Sequence, residues 1–340
     1  MNQRYLSVDI FRGLTIMLMI IVNSLPASPH TTWLQHSEWN GCHLADCVFP
    51  FFLIIMGVSI QLRTHPPTLI AITKRVLLLF SLGILINAIP YFHHIRYLGV
   101  MQRLAICYGF AALISWHISY QMQIIIMTLL LYWLMNIIFA TTLIGSMSQH
   151  CSENFIGCFD QLVMGNTHLF TPYFDPEGLI SSIPAICQTL IGCLIGYQLK
   201  HSANKPPIKS WLLNGALLLV LGYVWNLKFP FNKSIWSSSY VLWTSGFALW
   251  TLSACQWIKQ CRVAQLFGQH SLLIFVVHVL GLKLLHYFKL KPIIYSNLQH
   301  ILPVDIASLC YALVYLVLSY IFLKIYEKVV HALSQIHTMW

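Results

Sequence analysis

Apolar runs of about 20 residues follow one another from Leu6 almost to the end of the chain, with brief polar connections between most of them. A run of that length is what an α-helix needs to cross the roughly 30 Å hydrocarbon core of a bilayer. In lipid, every backbone N–H and C=O must find its partner within the protein, so isolated spans of this kind fold as helices. The chain is therefore expected to be an all-α polytopic membrane protein of about ten transmembrane helices. They fall near 7–25, 44–62, 71–90, 98–116, 121–143, 180–199, 211–227, 238–258, 263–285 and 304–326. Charged residues make up only 8% of the chain, against about 25% in ordinary soluble domains. In 340 residues this leaves no room for a soluble domain, and 1–340 reads as one transmembrane domain. The first run lacks a small-x-small cleavage site and carries Asp9 and Arg12, so it does not read as a removable signal.

The charge excess is informative about orientation. With the N-terminus inside, 12 of the 19 Lys and Arg residues fall on the inner side and 7 on the outer. Cytoplasmic loops retain Lys and Arg, so both termini are expected in the cytoplasm. Seven of the nine acids then lie outside. Basic residues scattered over many loops do not form a nucleic-acid footprint. The ten cysteines show no metal-ligand spacing, and no metal is expected. Cys42 with Cys47, or Cys151 with Cys158, are candidate disulfides on an oxidising outer side; free thiols are the equal alternative.

An ionisable group inside a span is costly and needs either a partner or a function. Asp9 and Arg12 share a helix face three residues apart, as a mutual ion pair or as a basic group facing an anionic ligand from inside. Asn23 closes the same span at its outer end. Asp46 opens the second span, as a helix cap or as a working carboxylate. Gln102 and Arg103 lie in the fourth span, and His278 in the outer half of the ninth. Under the charge-derived topology Asn23, His36, Asp46, Arg103, Asp175, Glu177, Asn232, Lys233 and His278 all fall at the outer end, while basic groups suited to phosphates gather at the inner end. This suggests chemistry near the outer face, fed by an anionic donor from the cytoplasm. By eye the five spans on either side of the long outer loop (about 144–179) show no similarity, which weakens a transporter built on inverted repeats.

The stretches "SVDIFRGLTIMLMIIVN" and "WLQHSEWNGCHLADCVFPFFLIIMGVSI" resemble the heparan-α-glucosaminide N-acetyltransferase family of membrane acyltransferases. "GVMQRLAICY", "FDPEGLISSIP", "PFNKSIWSSSYVLWTSG" and "HSLLIFVVH" are similar to later family blocks in the same order, from about residue 4 to about 285. The resemblance implies the ten-span core typical of bacterial members, without the extra N-terminal part of the animal enzymes, and hence a bacterial inner (plasma) membrane. It implies acetyl-CoA taken from the cytosolic side and an amino sugar or glycan acetylated outside. It places the family's loop histidine on His36 and its span-closing asparagine on Asn23. Where the family often has asparagine, this chain has His270, near the donor's nucleotide. A homodimer is also compatible with the family.

Chemistry assigns expected roles. A free imidazole titrates near pH 6.5, which suits a general base that deprotonates an amine acceptor, and His36 is the candidate; a covalent acetyl-histidine is the alternative. Asn23 suits an oxyanion donor or a group that positions the acceptor, and Asp46 an orienting carboxylate. Arg12, Lys74, Arg75, Arg103 and His270 are the candidates for the donor. Trp39, Asn40, Asp175, Glu177, Asn232, Lys233 and His278 are those for the acceptor. Trp33, Trp39 and Trp236 are candidates either for sugar stacking or for anchoring at the membrane interface. O-acylation of a cell-surface polysaccharide is the rival enzymatic reading, and a transporter the rival of another class.

Overall fold

The structure, a computed structural model, describes residues 5–26, 29–89, 95–141, 155–202 and 206–337. Among them are thirteen α-helices: α1 (Leu6–Ser24), α2 (Leu44–Gln61), α3 (Leu69–Ala88), α4 (Val100–His117), α5 (Tyr120–Thr141), α6 (Phe155–Met164), α7 (Leu179–His201), α8 (Ile208–Asn226), α9 (Ser238–Cys255), α10 (Arg262–Gln269), α11 (Ser271–Tyr287), α12 (Leu290–Gln299) and α13 (Val304–His337). Each expected span has a helix at its place. Six helices (α1, α2, α3, α7, α8 and α13) are long and apolar enough to cross a bilayer, and seven if α10 and α11 count as one broken span. α4 falls short because Gln102 and Arg103 interrupt it, and α9 because it is rich in Ser, Thr and Trp.

The ninth expected run is not a straight helix. It breaks at His270, and the two pieces meet at 81°. A short helix α6 and a further helix α12 stand where the sequence suggested only loops.

The chain forms two compact units. One comprises residues 37–257, with α2 to α9; the other comprises Tyr5–His36 and Ile258–Trp340, with α1 and α10 to α13. In the first unit, α2 and α7 are central. Of their most apolar windows 78% and 67% is buried, against 22% in α3 and α8, whose apolar faces are left for lipid. Close approach makes the α2–α7 contact possible. A Cβ on Gly192 would stand 2.2 Å from the carbonyl oxygen of Ile54, and one on Gly57 2.0 Å from that of Thr189. Gly192 and Gly196 form a small-xxx-small pair, the pattern by which membrane helices bring their backbones together. In the second unit, Gly13 and Gly268 play the same part between α1 and α10.

Candidate functional site

A polar region of the first unit is built around the N-terminus of α2. His43 is the N-cap, and Asp46 at the third helical position completes a reciprocal capping box with it. Asp46 is fully buried. Its Oδ2 accepts the backbone N–H of His43 at 3.0 Å and that of Ser37 at 3.1 Å. Its Oδ1 lies 3.6 Å from Lys233 Nζ. Burial pushes the Lys233 ammonium below its ordinary pKa, and Asp46 and Glu177 oppose that shift. Tyr240 donates its hydroxyl to the Asp46 carbonyl at 2.5 Å.

The loop carrying Lys233 is pinned from within. Ser237 accepts from the Asn232 N–H at 3.0 Å and donates to the Pro230 carbonyl at 2.9 Å. Asn232 accepts the Ile235 N–H at 3.1 Å and donates its amide to Asn40 Oδ1 at 3.4 Å. Gly41 N–H donates to the Phe231 carbonyl at 2.8 Å. The "WNG" stretch and the "PFNKS" stretch, about 190 residues apart in the chain, are thus one hydrogen-bonded assembly. Trp39 meets Phe174 edge to face, with centroids 5.9 Å apart.

Beside it lies a second charged group. Arg96 grips Asp175 with both arms of its guanidinium, through Nε at 2.8 Å and Nη2 at 2.5 Å, and also bonds Glu177. Asp175 accepts in addition the N–H groups of Glu177 and Phe170 at 2.9 and 3.0 Å. Burial alone would raise Glu177, but Arg96 and Arg103 overcome it and hold its carboxyl below the ordinary range. The two acids expected to meet a sugar are thus engaged by Arg96, which the sequence reading counted only as an outer charge. Arg103, 1% exposed, donates to the Pro176 carbonyl at 2.6 Å and to Ser181, and its guanidinium lies 4.8 Å over the Trp236 ring. Trp236 in turn donates to Gln188 at 2.9 Å and is 1% exposed, so it forms the floor of this region and offers no open face.

Asp160 on α6 was not singled out from sequence. It is fully buried, accepts the Leu179 N–H at 3.0 Å at the start of α7, and leaves its second oxygen without a hydrogen-bond partner. Burial raises its pKa to about 7.

The second unit holds the other expected residues. Asn23 is exposed near the C-terminal end of α1, and His36 is exposed just after the 3-10 turn Pro29–Leu34. Leu25 and Leu34 pack with Ala312, and the Ser308 hydroxyl donates to the Pro26 carbonyl at 2.6 Å. At the other end of α1, Arg12 donates to Asp9 at 3.1 Å and to the Gly268 carbonyl at 3.5 Å, so the helix-face pairing read from the spacing is present. His278 is 1% exposed, lies edge to face with Tyr315, and has neither ring nitrogen hydrogen-bonded. At the helix break, His270 lies 3.8 Å from Glu327 and beside Tyr326. With Lys328 and His331 these residues line a cavity of about 760 Å³.

The donor candidates are divided between the two units. Lys74 and Arg75 are exposed on α3 in the first unit, with Arg75 4.7 Å over the Tyr108 ring. Arg12 and His270 belong to the second unit. Among the described residues no three His, Cys, Asp or Glu side chains cluster as a metal site. Cys42 and Cys47 are free thiols; Cys158 is disulfide-bonded, while Cys151 lies outside the described residues.

Residues 4–225 match the family model described as "Heparan-alpha-glucosaminide N-acetyltransferase, catalytic". The chain is similar to the heparan-alpha-glucosaminide N-acetyltransferases of Mus musculus (27% identical, 69% of this chain) and Homo sapiens (28% identical, 70% of this chain). It spans about half the length of these curated relatives, 46% of each.

Proposed function

The chain belongs to the heparan-α-glucosaminide N-acetyltransferase catalytic family, and from that premise we propose that it is a membrane acetyltransferase. It moves the acetyl group of cytoplasmic acetyl-CoA to the amine of an amino sugar or glycan on the outer side. The proposal includes a ten-span topology with both termini inside, which the charge bias supports, and a bacterial plasma-membrane setting.

One observation carries it. Ser37, the residue that follows His36, is tied through its backbone to the buried Asp46 carboxylate at the head of α2, while His36 itself stays exposed. A general base needs this combination: an imidazole open to substrate on a backbone that does not wander. The capping box, Lys233 and Tyr240 hold Asp46 in turn. Asp46 therefore acts as a positioning residue through the chain that carries His36.

In the reaction, the neutral amine nitrogen attacks the thioester carbonyl and His36 takes the proton the nitrogen must lose. Asn23, exposed in the same unit as His36, donates its amide to the oxyanion that develops on the carbonyl oxygen. Collapse expels the CoA thiolate, which recovers a proton, and leaves the acetamide. Transfer is direct, since a single activated group suffices. Arg12 serves the donor's phosphates from the inner side together with His270, which lines a cavity with Glu327, Lys328 and His331.

The test is the His36→Ala variant, purified in detergent and supplied with labelled acetyl-CoA and a panel of amino sugars. Transfer should be lost while unfolding temperature and CoA affinity stay at the parent's values. Parent-like turnover would remove His36 as the base. Product acetyl that resists mild alkali identifies an amide and rejects O-acylation.

A further inference from the structure

The free thiols of Cys42 and Cys47 lie with their sulfur atoms 3.8 Å apart. Their position explains the approach. With His43 as the N-cap of α2, Cys42 is the residue before the cap and Cys47 is the fourth helical residue. These are the two positions of the hydrophobic staple, the contact that fixes the angle at which a chain enters a helix. Both thiols converge on one acceptor, the His43 carbonyl, at 3.9 and 3.7 Å. The capping box holds the backbone between them, and the Gly41 N–H anchors the approach to the Phe231 carbonyl. A disulfide needs sulfurs about 2.0 Å apart, so closing this pair takes a movement of about 1.8 Å along a vector the two side chains already share.

We propose that Cys42 and Cys47 form a redox-active dithiol that a small or protein disulfide converts to a covalent staple across the head of α2. Cys42 is the more accessible of the two and Cys47 is buried, which sets the order of events. The Cys42 thiolate attacks one sulfur of the incoming disulfide, forming a mixed disulfide and releasing the first thiolate. The Cys47 thiolate then attacks the Cys42 sulfur and releases the second. The two protons given up by the cysteines end on the two thiols released, so a disulfide R–S–S–R is reduced to two R–SH as the dithiol is oxidised. The hydrogen bond with Cys47, and then burial, hold the Cys42 thiol above its ordinary pKa. Exchange is therefore slow with ordinary disulfides and faster with those whose leaving thiol is acidic. The staple closes directly beside Asp46, so oxidation stiffens the backbone at 42–47. The proposal stands apart from the acetyl-transfer reading.

The test uses the whole purified protein. It is equilibrated with reduced and oxidised glutathione over a range of ratios, quenched by alkylation, and digested. The tryptic segment from Gly13 to Arg63 contains these two cysteines and no other. The expected result is that both thiols are lost together and the segment becomes lighter by two hydrogens, reversibly with dithiothreitol. In Cys47→Ser the reaction should stop at glutathione on Cys42. The oxidised parent should unfold at a higher temperature than the reduced parent, a difference absent from Cys47→Ser. Full alkylation of both thiols at every ratio would overturn the proposal, as would two glutathiones on the parent segment.

Discussion

Replacing Asp46 with alanine removes three interactions at one stroke. The N–H groups of Ser37 and His43 lose a charged acceptor at 3.1 and 3.0 Å, and Lys233 loses its counter-charge at 3.6 Å. A hydrogen bond to a charged group contributes about 1.5–3 kcal/mol. Breaking a buried pair by deleting one member costs about 3–5 kcal/mol. These figures overlap and are not summed. Burial already pushes the Lys233 ammonium down with Asp46 and Glu177 opposing that shift, so without Asp46 its pKa falls further and Glu177 remains to oppose the burial. The net loss expected for Asp46→Ala is about 3–5 kcal/mol. Asp46→Asn keeps an oxygen for the two N–H groups but loses the charge, and should fall between the variant and the parent. Unfolding by SDS in mixed micelles, followed by the fluorescence of the chain's tryptophans, measures the series. The decisive step is a double-mutant cycle with Lys233→Met. If the two side chains act as a pair, the double variant should be at least about 1 kcal/mol more stable than additivity allows. Strict additivity would refute the pairing. An Asp46→Ala variant within about 0.5 kcal/mol of the parent would refute the whole account of this helix terminus.

Two further outcomes follow from the same structure. Burial raises Asp160 to about 7, so between an unfolded-chain pKa near 4 and that value the native state holds a proton the unfolded chain has released. Stability therefore falls as pH rises from about 4 to about 7 and levels off above; Asp160→Asn should flatten that slope in thermal unfolding at a series of pH values, and an unchanged slope would remove Asp160 as its source. Gly192→Ala drives a methyl to 2.2 Å from the Ile54 carbonyl, so it should lower the unfolding temperature markedly and Gly192→Leu more so; parent-like melting of both would mean that α2 and α7 separate without cost.

Much of this architecture was legible in the residues, because lipid leaves a chain few options. Apolar runs of spanning length become helices wherever they occur, and Asp9 with Arg12 announces an i,i+3 pair that the structure contains. Asp46 was readable both as a cap and as a working carboxylate; the structure shows it in the capping box. What escaped notice depends on distant pairing. Nothing near Arg96 in sequence says that it meets Asp175 and Glu177, some 80 residues away, and nothing near Arg103 says that it reaches the Pro176 carbonyl and the Ser181 hydroxyl. Asp160 hid in a short amphipathic helix because its significance comes from the α7 N-terminus it reaches. The break at His270 leaves the hydropathy of the run unchanged, and only the direction of the helix reveals it. Gly192 and Gly196 stand four residues apart in the sequence, but nothing near them in the chain points to the facing Ile54 and Val58.

The length of α13 sets a limit on where its end can be. It has 34 residues, which at 1.5 Å per residue make a rod of about 50 Å. Even leaning at about 40°, the steep end of what spanning helices show, a 30 Å slab accommodates only about 26 of them. At least two turns must stand clear of the lipid as a rigid mast, and Lys324, Glu327, Lys328 and His331 cluster toward that end. A fluorophore on position 331 would sit in water at a fixed height, and its quenching by headgroup-depth probes would report how far the helix leans.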